Sequence, residues 1–492
     1  MNLHSKHLKT LQTLFAKHPT IAQALLFGSR ALGTHKESSD IDIALKGDIT
    51  PTLLAHLKEE LEDSTLPYFC DILDYERAPQ ELREHIDTHA LTLYKREEGW
   101  QEVRLGDVAT RITSGGTPPT TDEKNYNGEI PWLNTKEVKN CRIYKTEKTI
   151  SDLGLKNSSA KWIEKDSVIV AMYGATAGKV AINKIPLTTN QACCNITINP
   201  FKADYRFVYY SLLNQYERLT ALASGAAQQN LNVSTISNLT IPLPPLERQK
   251  EIAEILSSFD DKIDFLHRQN RTLESLTTMF YEVLTKDKEN SSLLSDIVQI
   301  QGGYAFKSKD FLKYGTNRVI KIKNIFNSVV DIVNTDFITN SIVDAINKKF
   351  QILSGDILIA MTGAEVGKVG ITPKNSKNLF LNQRVGVIRE KFDNAKYLAY
   401  LHLKSSFGFD YIVNTASGSA QANISSKQIE QCPFPHFSQE EIECFSKKVT
   451  PFFEKIIANL ARIQNLIKIR NLLLTFFLNK DFFEKYNKCD SL

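Results

Sequence analysis

A long amphipathic segment near the middle of the chain constrains the fold more than any other feature. From Glu247 to Asp287, apolar residues recur at intervals of three and four, which places them on one stripe of an α-helix. The stripe contains Ile252, Leu256, Phe259, Ile263, Leu266, Asn270, Leu273, Leu276, Phe280 and Val283. A helix of this length extends about 60 Å at about 1.5 Å per residue, so its apolar stripe requires a partner helix.

A candidate partner lies near the C-terminus, where apolar residues recur at similar spacing. They are Phe453, Ile456, Leu460, Ile463, Ile467, Leu474 and Phe477. Pro451 is predicted to end an earlier helical run that begins at about Gln439, because proline removes a helical hydrogen bond. Periodicity alone is equally compatible with two unrelated core helices, and pairing is favoured because each stripe follows the same kind of module. Asn270 is interpreted either as a buried residue that fixes the register or as a solvated one.

Length, composition and cysteine content indicate a soluble protein of about three domains. The 492 residues are 42% hydrophobic, which is sufficient for packed cores. No run of 18 apolar residues occurs, and the N-terminal sequence MNLHSKHLKT lacks the apolar segment of a signal peptide. We therefore expect a cytoplasmic protein without a membrane partner. The 7 cysteines form no CxxC pair, which argues against a zinc site or a disulfide framework.

The charge distribution separates an acidic N-terminal region from a basic remainder. Residues 1–98 contain 11 Lys and Arg against 16 Asp and Glu, a balance of −5, so the net charge of +4 leaves +9 on residues 99–492. This excess is compatible with a polyanionic partner, although solvated lysines are the commoner cause of such a value.

The N-terminal region contains two aspartates in a pattern typical of a strand. Acidic and aliphatic residues alternate from Asp40 to Ile43, so Asp40 and Asp42 are expected on the same face of the strand. Two carboxylates at this spacing can bind hard divalent cations through oxygen, whereas an acidic pair considered alone is usually a solvated turn.

Neighbouring segments add to this pattern. The apolar run from Ile21 to Phe27 leads into Gly28 and Ser29, and a helix that begins there would offer backbone N–H groups to phosphate oxygens. The segment YFCDIL predicts a second strand that carries a third carboxylate, Asp71.

The segment LFGSRALGTHKESSDIDIAL resembles the signature of the minimal nucleotidyltransferases, small members of the polymerase-β-like superfamily. With ELREHIDTHALTLY, which resembles the closing helix and final tyrosine of that family, the resemblance covers about residues 1–96. It implies that Gly28 and Ser29 hold a nucleoside triphosphate such as ATP, that Asp40 and Asp42 bind Mg²⁺, and that Asp71 completes the metal site or acts as a base.

Two points within this resemblance stay open. Asp74 competes with Asp71 for the third carboxylate, and the apolar neighbours Cys70 and Ile72 favour Asp71. Leu32 stands where many relatives carry arginine, which leaves the substrate undetermined. A domain of this kind can also bind a nucleotide without turning it over, or be an inert remnant of a fusion.

The rest of the chain is a tandem repeat of about 190 residues. LGDVATRITSGGTP at Leu105 corresponds to LSDIVQIQGGYAF at Leu294, DSVIVAMYGATAGKVAI at Asp166 to DILIAMTGAEVGKVGI at Asp356, Asn190-Gln191 to Asn382-Gln383, and SGAAQQNL at Ser224 to SGSAQANI at Ser417. Short β-branched and aromatic runs broken by Gly, Pro and Asn predict a mixed α/β module in each copy.

The GATAGKV segment is one residue too short for a phosphate-binding loop and has Val180 at its end, so it is interpreted as a turn between strands.

The repeated region, from about Trp100 to Lys480, resembles the DNA-specificity subunit of type I restriction-modification systems. The resemblance rests on WQEVRLGDV, GGTPPTTDEKNYNGEIPWLNTKEV, NLNVSTISNLTIPLPPLERQKEIAEIL and TPFFEKIIANLARIQNLIKIRNLLL. It implies an α+β multidomain chain, in which a small α/β nucleotidyltransferase domain precedes two mixed α/β target-recognition domains separated by an antiparallel two-helix coiled coil. The expected boundaries are 1–98, 99–245 (the first copy), 246–288 (the central helix), 289–438 (the second copy) and 439–492 (C-terminal helices that pair with the central helix).

Two functions of different classes follow. In the first, the chain reads a bipartite site in double-stranded DNA, needs no cofactor for this, and assembles with methyltransferase and restriction subunits that use S-adenosylmethionine and ATP. In the second, the N-terminal domain transfers a nucleotide such as AMP to a protein, in an antitoxin-like role, and the repeats position it. Base-contacting residues are not identified by the sequence. The plausible ones are residues of a kind that is more often plain polar surface: Lys124, Asn125, Tyr126, Asn134, Lys136 and Lys307.

Overall fold

The computed structural model describes residues 3–18, 20–36, 39–96, 100–223, 231–416 and 422–478. The chain divides into two compact units. One unit comprises Met1–Ser114, Cys194–Asp204 and Leu231–Gln249, and the other comprises Gly115–Cys193, Tyr205–Asn230 and Lys250–Leu492. The repeated motifs that begin at Ser224 and Ser417, and the expected boundary at residues 98 and 99, lie outside the described residues. In the described ranges, every helix is too short or too polar to span a bilayer.

The N-terminal domain is a four-stranded sheet with helices on both faces. Its strands are β1 (Ile21–Phe27), β2 (Ile41–Gly47), β3 (Cys70–Asp74) and β4 (Leu91–Lys95), in the spatial order β3-β2-β1-β4. Its helices are α1 (Ser5–Ala16), α2 (Gly28–Leu32), α3 (Pro51–Glu62) and α4 (Gln80–His89). β1 pairs with β2 in antiparallel fashion, and β2 pairs with β3 in parallel. Alternation along β2 buries Ile41, Ile43 and Leu45 among side chains of α1 and α3, which leaves Asp42 on the other face.

The same unit contains the beginning and end of the first copy. Two antiparallel strand pairs, Gln101–Arg104 with Thr240–Leu243 and Ala109–Ser114 with Cys193–Ile198, are accompanied by the short helices Leu105–Val108 and Val233–Ser237.

In the second unit, the remainder of the first copy forms two small sheets around an apolar core. One contains Cys141–Ile143, Val180–Asn183 and Val168–Ala171, and the other contains Thr188–Thr189, Tyr126–Leu133 and Lys148–Ile150. Helices Asp152–Lys156, Tyr205–Asn214 and Tyr216–Ala223 complete this part. Leu133, Ile169 and Leu187 are among the residues of the core.

The second copy lies entirely in the second unit. Its six-stranded sheet has the order Val298–Gly302, Val385–Glu390, Ile357–Ala360, Val369–Ile371, Val329–Val330, Ile325–Phe326. Its five-stranded sheet has the order Phe311–Leu312, Asp336–Ile338, Asn317–Ile320, Asn378–Leu381, Gln351–Ile352, and Ser292–Leu293 pairs with Pro433–Phe434. The helices are Asn340–Ala345, Ala395–Lys404, Ser406–Ala416 and Ser426–Glu430.

The segments that resemble a phosphate-binding loop are turns between antiparallel strands in both copies, as predicted. Gly174 and Gly178 have φ angles of 80° and 80°, and Gly363 and Gly367 have φ angles of 74° and 83°. These positive values explain why glycine recurs at both positions of each turn, since other residues rarely adopt them.

The two long amphipathic segments pair, as the stripes predict. The central helix is Leu246–Thr285 and the C-terminal helix is Gln439–Leu478, each of 40 residues. Ile263 and Leu266 pack against Ile463 between the two helices. The helices are antiparallel, because Asp260 pairs with Arg470 whereas the later residue Asn270 contacts the earlier residue Asn459. The α+β multidomain fold class is thus confirmed.

Several details of the predicted seam were wrong. Pro451 does not end a helix but lies inside the C-terminal helix, where the neighbouring Thr450 hydroxyl donates a hydrogen bond of 2.7 Å to the carbonyl oxygen of Ser446. Leu276 and Val283 are exposed, and Thr277 and Tyr281 occupy the buried stripe instead. Toward the end of the central helix, residues at the predicted spacing therefore no longer face the partner helix.

Polar residues interrupt the seam at two levels. Asn459 Nδ2 donates hydrogen bonds of 2.8 Å to Gln269 Oε1 and Asn270 Oδ1, which supports the register-fixing interpretation of Asn270. Nearer the first copy, Arg470 donates to Asp260, and the Tyr210 hydroxyl donates a 2.6 Å bond to the same carboxylate. Asp260 and Arg470 are each only 7% exposed, so this ion pair joins both long helices and the first copy in a nearly dry environment.

Removing one member of the buried pair is expected to destabilise the helix pair strongly. Arg470→Ala leaves the Asp260 carboxylate buried without its countercharge, which typically costs about 3 to 5 kcal/mol. The combined substitution Asp260→Leu, Arg470→Met and Tyr210→Phe is expected to recover most of that loss, because apolar side chains of similar volume replace the pair and no buried hydroxyl is left without an acceptor. Thermal unfolding of the full chain measures both, with the exposed Arg462→Ala on the same helix as the control. Equal midpoints for Arg470→Ala and Arg462→Ala would contradict the expectation.

A chain of three buried polar side chains connects the central helix to the second copy. The Tyr281 hydroxyl lies 2.7 Å from His402 Nδ1, and Cys432 Sγ lies 3.5 Å from His402 Nε2. Burial lowers the pKa of His402 to about 4 and raises the pKa of the Cys432 thiol to about 12, so both groups are neutral at pH 7.

This histidine predicts an acid-sensitive second copy. Since the pKa of His402 is lower in the folded protein than its ordinary value of about 6.5, the unfolded chain binds the proton more tightly. Stability is therefore full above about pH 6.5 and falls as the pH drops toward 4, by about 2 kcal/mol at pH 5. Unfolding measured at pH 7 and pH 5 should show this loss in the wild type and a smaller one in His402→Gln. An equal loss in both proteins would assign the acid sensitivity to other groups.

Candidate functional site

The parallel pairing of β2 with β3 brings two of the predicted aspartates side by side. Asp42 and Asp71 are direct partners across the pair, and Asp40 immediately precedes β2. Asp74 is placed differently: alternation along β3 directs it to the opposite face, where its carboxylate caps the Glu76 N–H at 3.0 Å and pairs with Arg77 at 3.2 Å. The geometry thus agrees with the preference for Asp71 over Asp74.

The three aspartates lie close enough for the charges of two of them to affect the pKa of the third. Burial raises the pKa of Asp42, and the charges of Asp71 and then Asp40 raise that pKa further. Lys58 Nζ lies 3.6 Å from Asp71 Oδ1, and both side chains are exposed. Clustered carboxylates of this kind are stabilised by a bound cation.

The predicted nucleotide-binding residues begin α2 directly beside Asp42. Gly28 has a φ angle of +68°, and a Cβ atom at this position would lie 2.3 Å from Asp42 Oδ2. Glycine is therefore required on two grounds, the backbone conformation and the close approach of the carboxylate. Ser29 is half-buried, and its carbonyl oxygen accepts the N–H groups of Gly33 and Thr34.

Arg30 is a positioning residue that the sequence did not identify. Its buried guanidinium donates to the carbonyl oxygens of Ser39, at 2.6 Å, and Asp40, at 3.1 Å. The guanidinium carbon also lies 4.2 Å from the centre of the Tyr68 ring. These contacts fix the backbone that carries Asp40. The available signal was an arginine within the otherwise small and apolar segment GSRAL.

The aspartates suit a metal whose coordination a substrate completes. In the described ranges, no three His, Cys, Asp or Glu side chains are arranged as a ready metal cage. Mg²⁺ is usually held by one or two carboxylates together with phosphate oxygens and water, so a full protein cage is not required. Asp42 and Asp71, with Asp40 beside them, fit this kind of site by their oxygen donors and their mutual repulsion.

A second candidate site is formed by loops that converge in the first copy. We define its loop cluster as residues 115–117, 133–137, 172–179 and 189–192. Trp132 Nε1 donates to the Gly116 carbonyl oxygen at 2.9 Å, and Asn190 N donates to the Leu133 carbonyl oxygen at 3.0 Å. The Thr135 hydroxyl donates to Asn190 Oδ1 at 2.9 Å, and the Thr176 hydroxyl donates to the Thr135 carbonyl oxygen at 2.7 Å. These bonds hold four sequence-distant loops together.

The second copy repeats this arrangement in residues 302–304, 320–324, 361–368 and 381–384, its own loop cluster. Asn382 N donates to the Ile320 carbonyl oxygen at 3.1 Å, which corresponds to the bond of Asn190 in the first copy. Tyr304 N donates to the Leu381 carbonyl oxygen at 2.8 Å, and Gln383 N donates to the Tyr304 carbonyl oxygen at 2.9 Å. The duplication therefore preserves a three-dimensional surface as well as a sequence pattern.

Some residues considered for DNA contact have internal roles. Asn125 is buried and donates to the Pro119 carbonyl oxygen at 3.0 Å, and the Tyr126 hydroxyl donates to the Pro118 carbonyl oxygen at 2.7 Å. Asn134 caps a short helix through Lys136 N at 3.2 Å. The exposed candidates are Lys124, Lys136, which pairs with Glu147 at 2.7 Å, and Lys307.

Comparison with known proteins follows the same division of the chain. The family model for the type I restriction modification DNA specificity domain matches residues 97–275 and 286–469, and the model for polymerase beta nucleotidyltransferases matches residues 9–99. The type I restriction enzyme MjaIX specificity subunit of Methanocaldococcus jannaschii is 25% identical over 406 residues, which cover 77% of this chain and 93% of that protein.

Two solved structures are also similar to parts of the chain. The S subunit of a type I restriction-modification system from M. genitalium aligns with 77% of this chain and 96% of its own, at 20% identity and a TM-score of 0.46. A chain of a toxin–antitoxin structure with AMP-PNP aligns with 18% of this chain and 73% of its own, at 25% identity and a TM-score of 0.17. Since the specificity model matches well over half of the residues, the chain belongs to the family of type I restriction-modification DNA specificity proteins, with a nucleotidyltransferase domain of the polymerase-beta type at its N-terminus.

Proposed function

We propose that the chain acts as the specificity subunit of a type I restriction-modification complex and reads a bipartite site in double-stranded DNA. The observation that carries this proposal is the pair of equivalent loop clusters, one in each copy, with closely similar backbone hydrogen bonds. Two like surfaces on one chain suit a site of two half-sites separated by an unread spacer. Methyltransferase and restriction subunits are the expected partners, and a cytoplasmic location follows from their DNA substrate.

The paired long helices supply the spacing in this proposal. A helix of 40 residues is about 60 Å long, which corresponds to at most about 18 base pairs at about 3.4 Å each. The apolar seam and its polar pairs fix the register of the two helices and so hold this length constant. Sliding by one turn would bury Asp260 and Asn459 against apolar partners.

Mapping of modified bases in a host that expresses the full system tests the DNA role. We expect modification at one motif with two short constant blocks and a spacer of fixed length. Inserting one heptad into each long helix, next to Asn270 and Asn459, keeps the seam in register and adds about 10 Å. The spacer should then lengthen by up to about three base pairs while both blocks stay unchanged. A single uninterrupted motif, or blocks altered by the insertion, would refute the proposed geometry.

A second function is favoured by the aspartates of the N-terminal domain. We propose that this domain transfers a nucleotide, such as AMP from ATP, to a protein. In this proposal Gly28 and Ser29, at the start of α2, approach the phosphates, and Asp40, Asp42 and Asp71 hold Mg²⁺. The pairing of Asp42 with Asp71 and the close approach of Gly28 to Asp42 support it. Bound Mg²⁺ would neutralise charge on the phosphate oxygens. Arg30 holds the Asp40 backbone in place, and Asp71 is the candidate base at the edge of the site.

Labelled ATP with Mg²⁺ tests the nucleotidyl transfer. The wild-type chain is expected to transfer label to a protein in host extract, and Asp40→Ala with Asp42→Ala should reduce transfer by at least about 100-fold, since the cation site is lost. Asp48→Asn removes an exposed carboxylate one residue beyond the end of β2 and should leave transfer unchanged. Transfer that survives the double substitution would place the activity elsewhere. Nucleotide binding without transfer in the wild type would identify a binding domain without turnover.

A further inference from the structure

The two loop clusters differ in side chains at positions where their backbones correspond. Met172 N donates to the Ala192 carbonyl oxygen at 2.8 Å, and Met361 N donates to the Arg384 carbonyl oxygen at 3.0 Å. Cys193 N bonds the Asn190 carbonyl oxygen at 3.2 Å, as Val385 N bonds that of Asn382 at 2.9 Å. Ala192 and Arg384 thus occupy the same place in the two copies, with a methyl group in one and a guanidinium in the other.

Residues that the copies share lie beside this position. Gln191 and Gln383 are both exposed, and Lys136 and Lys323 are exposed in the corresponding neighbouring loops. Groups present in both copies cannot account for a difference between two half-sites. A residue that differs on an otherwise matching backbone can do so. Among the charged residues of the second cluster that differ from the first, Lys321 pairs with Asp336 and Glu365 pairs with Lys368, which leaves Arg384 as the candidate.

Arg384 is available for a ligand. It is exposed, and it makes no ion pair or side-chain hydrogen bond with any residue in the described parts of the chain. The acidic residue of the adjacent turn, Glu365, pairs with Lys368. Since the Arg384 side chain is exposed, replacing it is expected to leave the fold intact.

We propose that Arg384 reads a guanine in the half-site contacted by the second copy, and that Ala192 leaves the corresponding position of the other half-site unread by this contact. The planar guanidinium presents two parallel N–H donors, which match O6 and N7 of guanine in the major groove. Ala192 has no donor to offer there. This assignment rests on the proposed DNA role.

The test uses the complex of the full-length chain with its methyltransferase subunit, with binding to duplexes and mapping of modified bases as readouts. Arg384→Ala is expected to weaken binding to the natural site by about 10- to 100-fold and to remove the guanine preference at one position of one block. Binding to an unrelated duplex should stay the same. Ala192→Arg is expected to create a guanine preference at one position of the other block. Lys447→Ala, which removes one exposed positive charge from the C-terminal helix, serves as the charge-matched control and should change neither block.

Two outcomes overturn the assignment of Arg384 while leaving the DNA role intact. Either Arg384→Ala retains both blocks in full, or it weakens all duplexes by the same factor, as loss of a phosphate contact does. A wild-type complex that selects no sequence at all would overturn the DNA role and the assignment with it. The reciprocal variant keeps these cases separate, because a new preference in the Ala192→Arg protein can arise only from a base contact at that position.

Discussion

The apolar seam between the two long helices is the interaction on which the rest of the second unit depends. Neither helix of 40 residues can bury its apolar stripe alone, and in proteins most of the stability of an amphipathic helix comes from packing that stripe. An apolar seam alone permits sliding, whereas buried polar groups penalise every register except one. Asp260 with Arg470 and Asn270 with Asn459 provide this penalty at two levels of the seam. The same Asp260 also accepts the Tyr210 hydroxyl, so the register of the helices and the attachment of the first copy are coupled.

The two copies are attached to the long helices by different sets of residues, although they descend from one pattern. In the first copy, Arg142 bonds Asp261 and lies 3.4 Å from Asp264, so charged groups dominate the contact. In the second copy, the Tyr397 ring stacks on Phe453 at 4.2 Å, and Tyr400 meets the same ring edge-on at 5.5 Å. Aromatic contacts of this kind are insensitive to salt, whereas the partly exposed ion pairs of Arg142 with Asp264 and of Lys404 with Glu274 are screened by it. The duplication therefore conserved the loop clusters more closely than the contacts that hold them.

Sequence patterns predicted those parts of the molecule that local periodicity determines. The long helices, the strand–turn–strand units and the face of β2 that carries Asp42 follow from spacing, because side-chain direction is fixed by the backbone repeat. Spacing did not predict that Thr277 and Tyr281 lie in the seam, or that the helix continues through Pro451. At both places tertiary packing overrides a local preference. Arg30 was missed for a related reason: its role lies in hydrogen bonds to carbonyl oxygens nine and ten residues away, which leave no pattern in the sequence.

The loop clusters illustrate a more general limit. Residues 115–117 and 189–192 are separated by about 70 positions, and their proximity results from two strands that end side by side. A single copy would not distinguish a scaffold residue from a reading residue in such a surface. Two copies on one backbone do, because the bonds they share identify the scaffold and the side chains they do not share identify what can vary. Asn125 and Tyr126 also belong to the scaffold, since their side chains donate hydrogen bonds to the backbone carbonyl oxygens of Pro119 and Pro118. The guanidinium of Arg384 makes no hydrogen bond or ion pair within the described residues. It therefore remains available to a ligand in solvent.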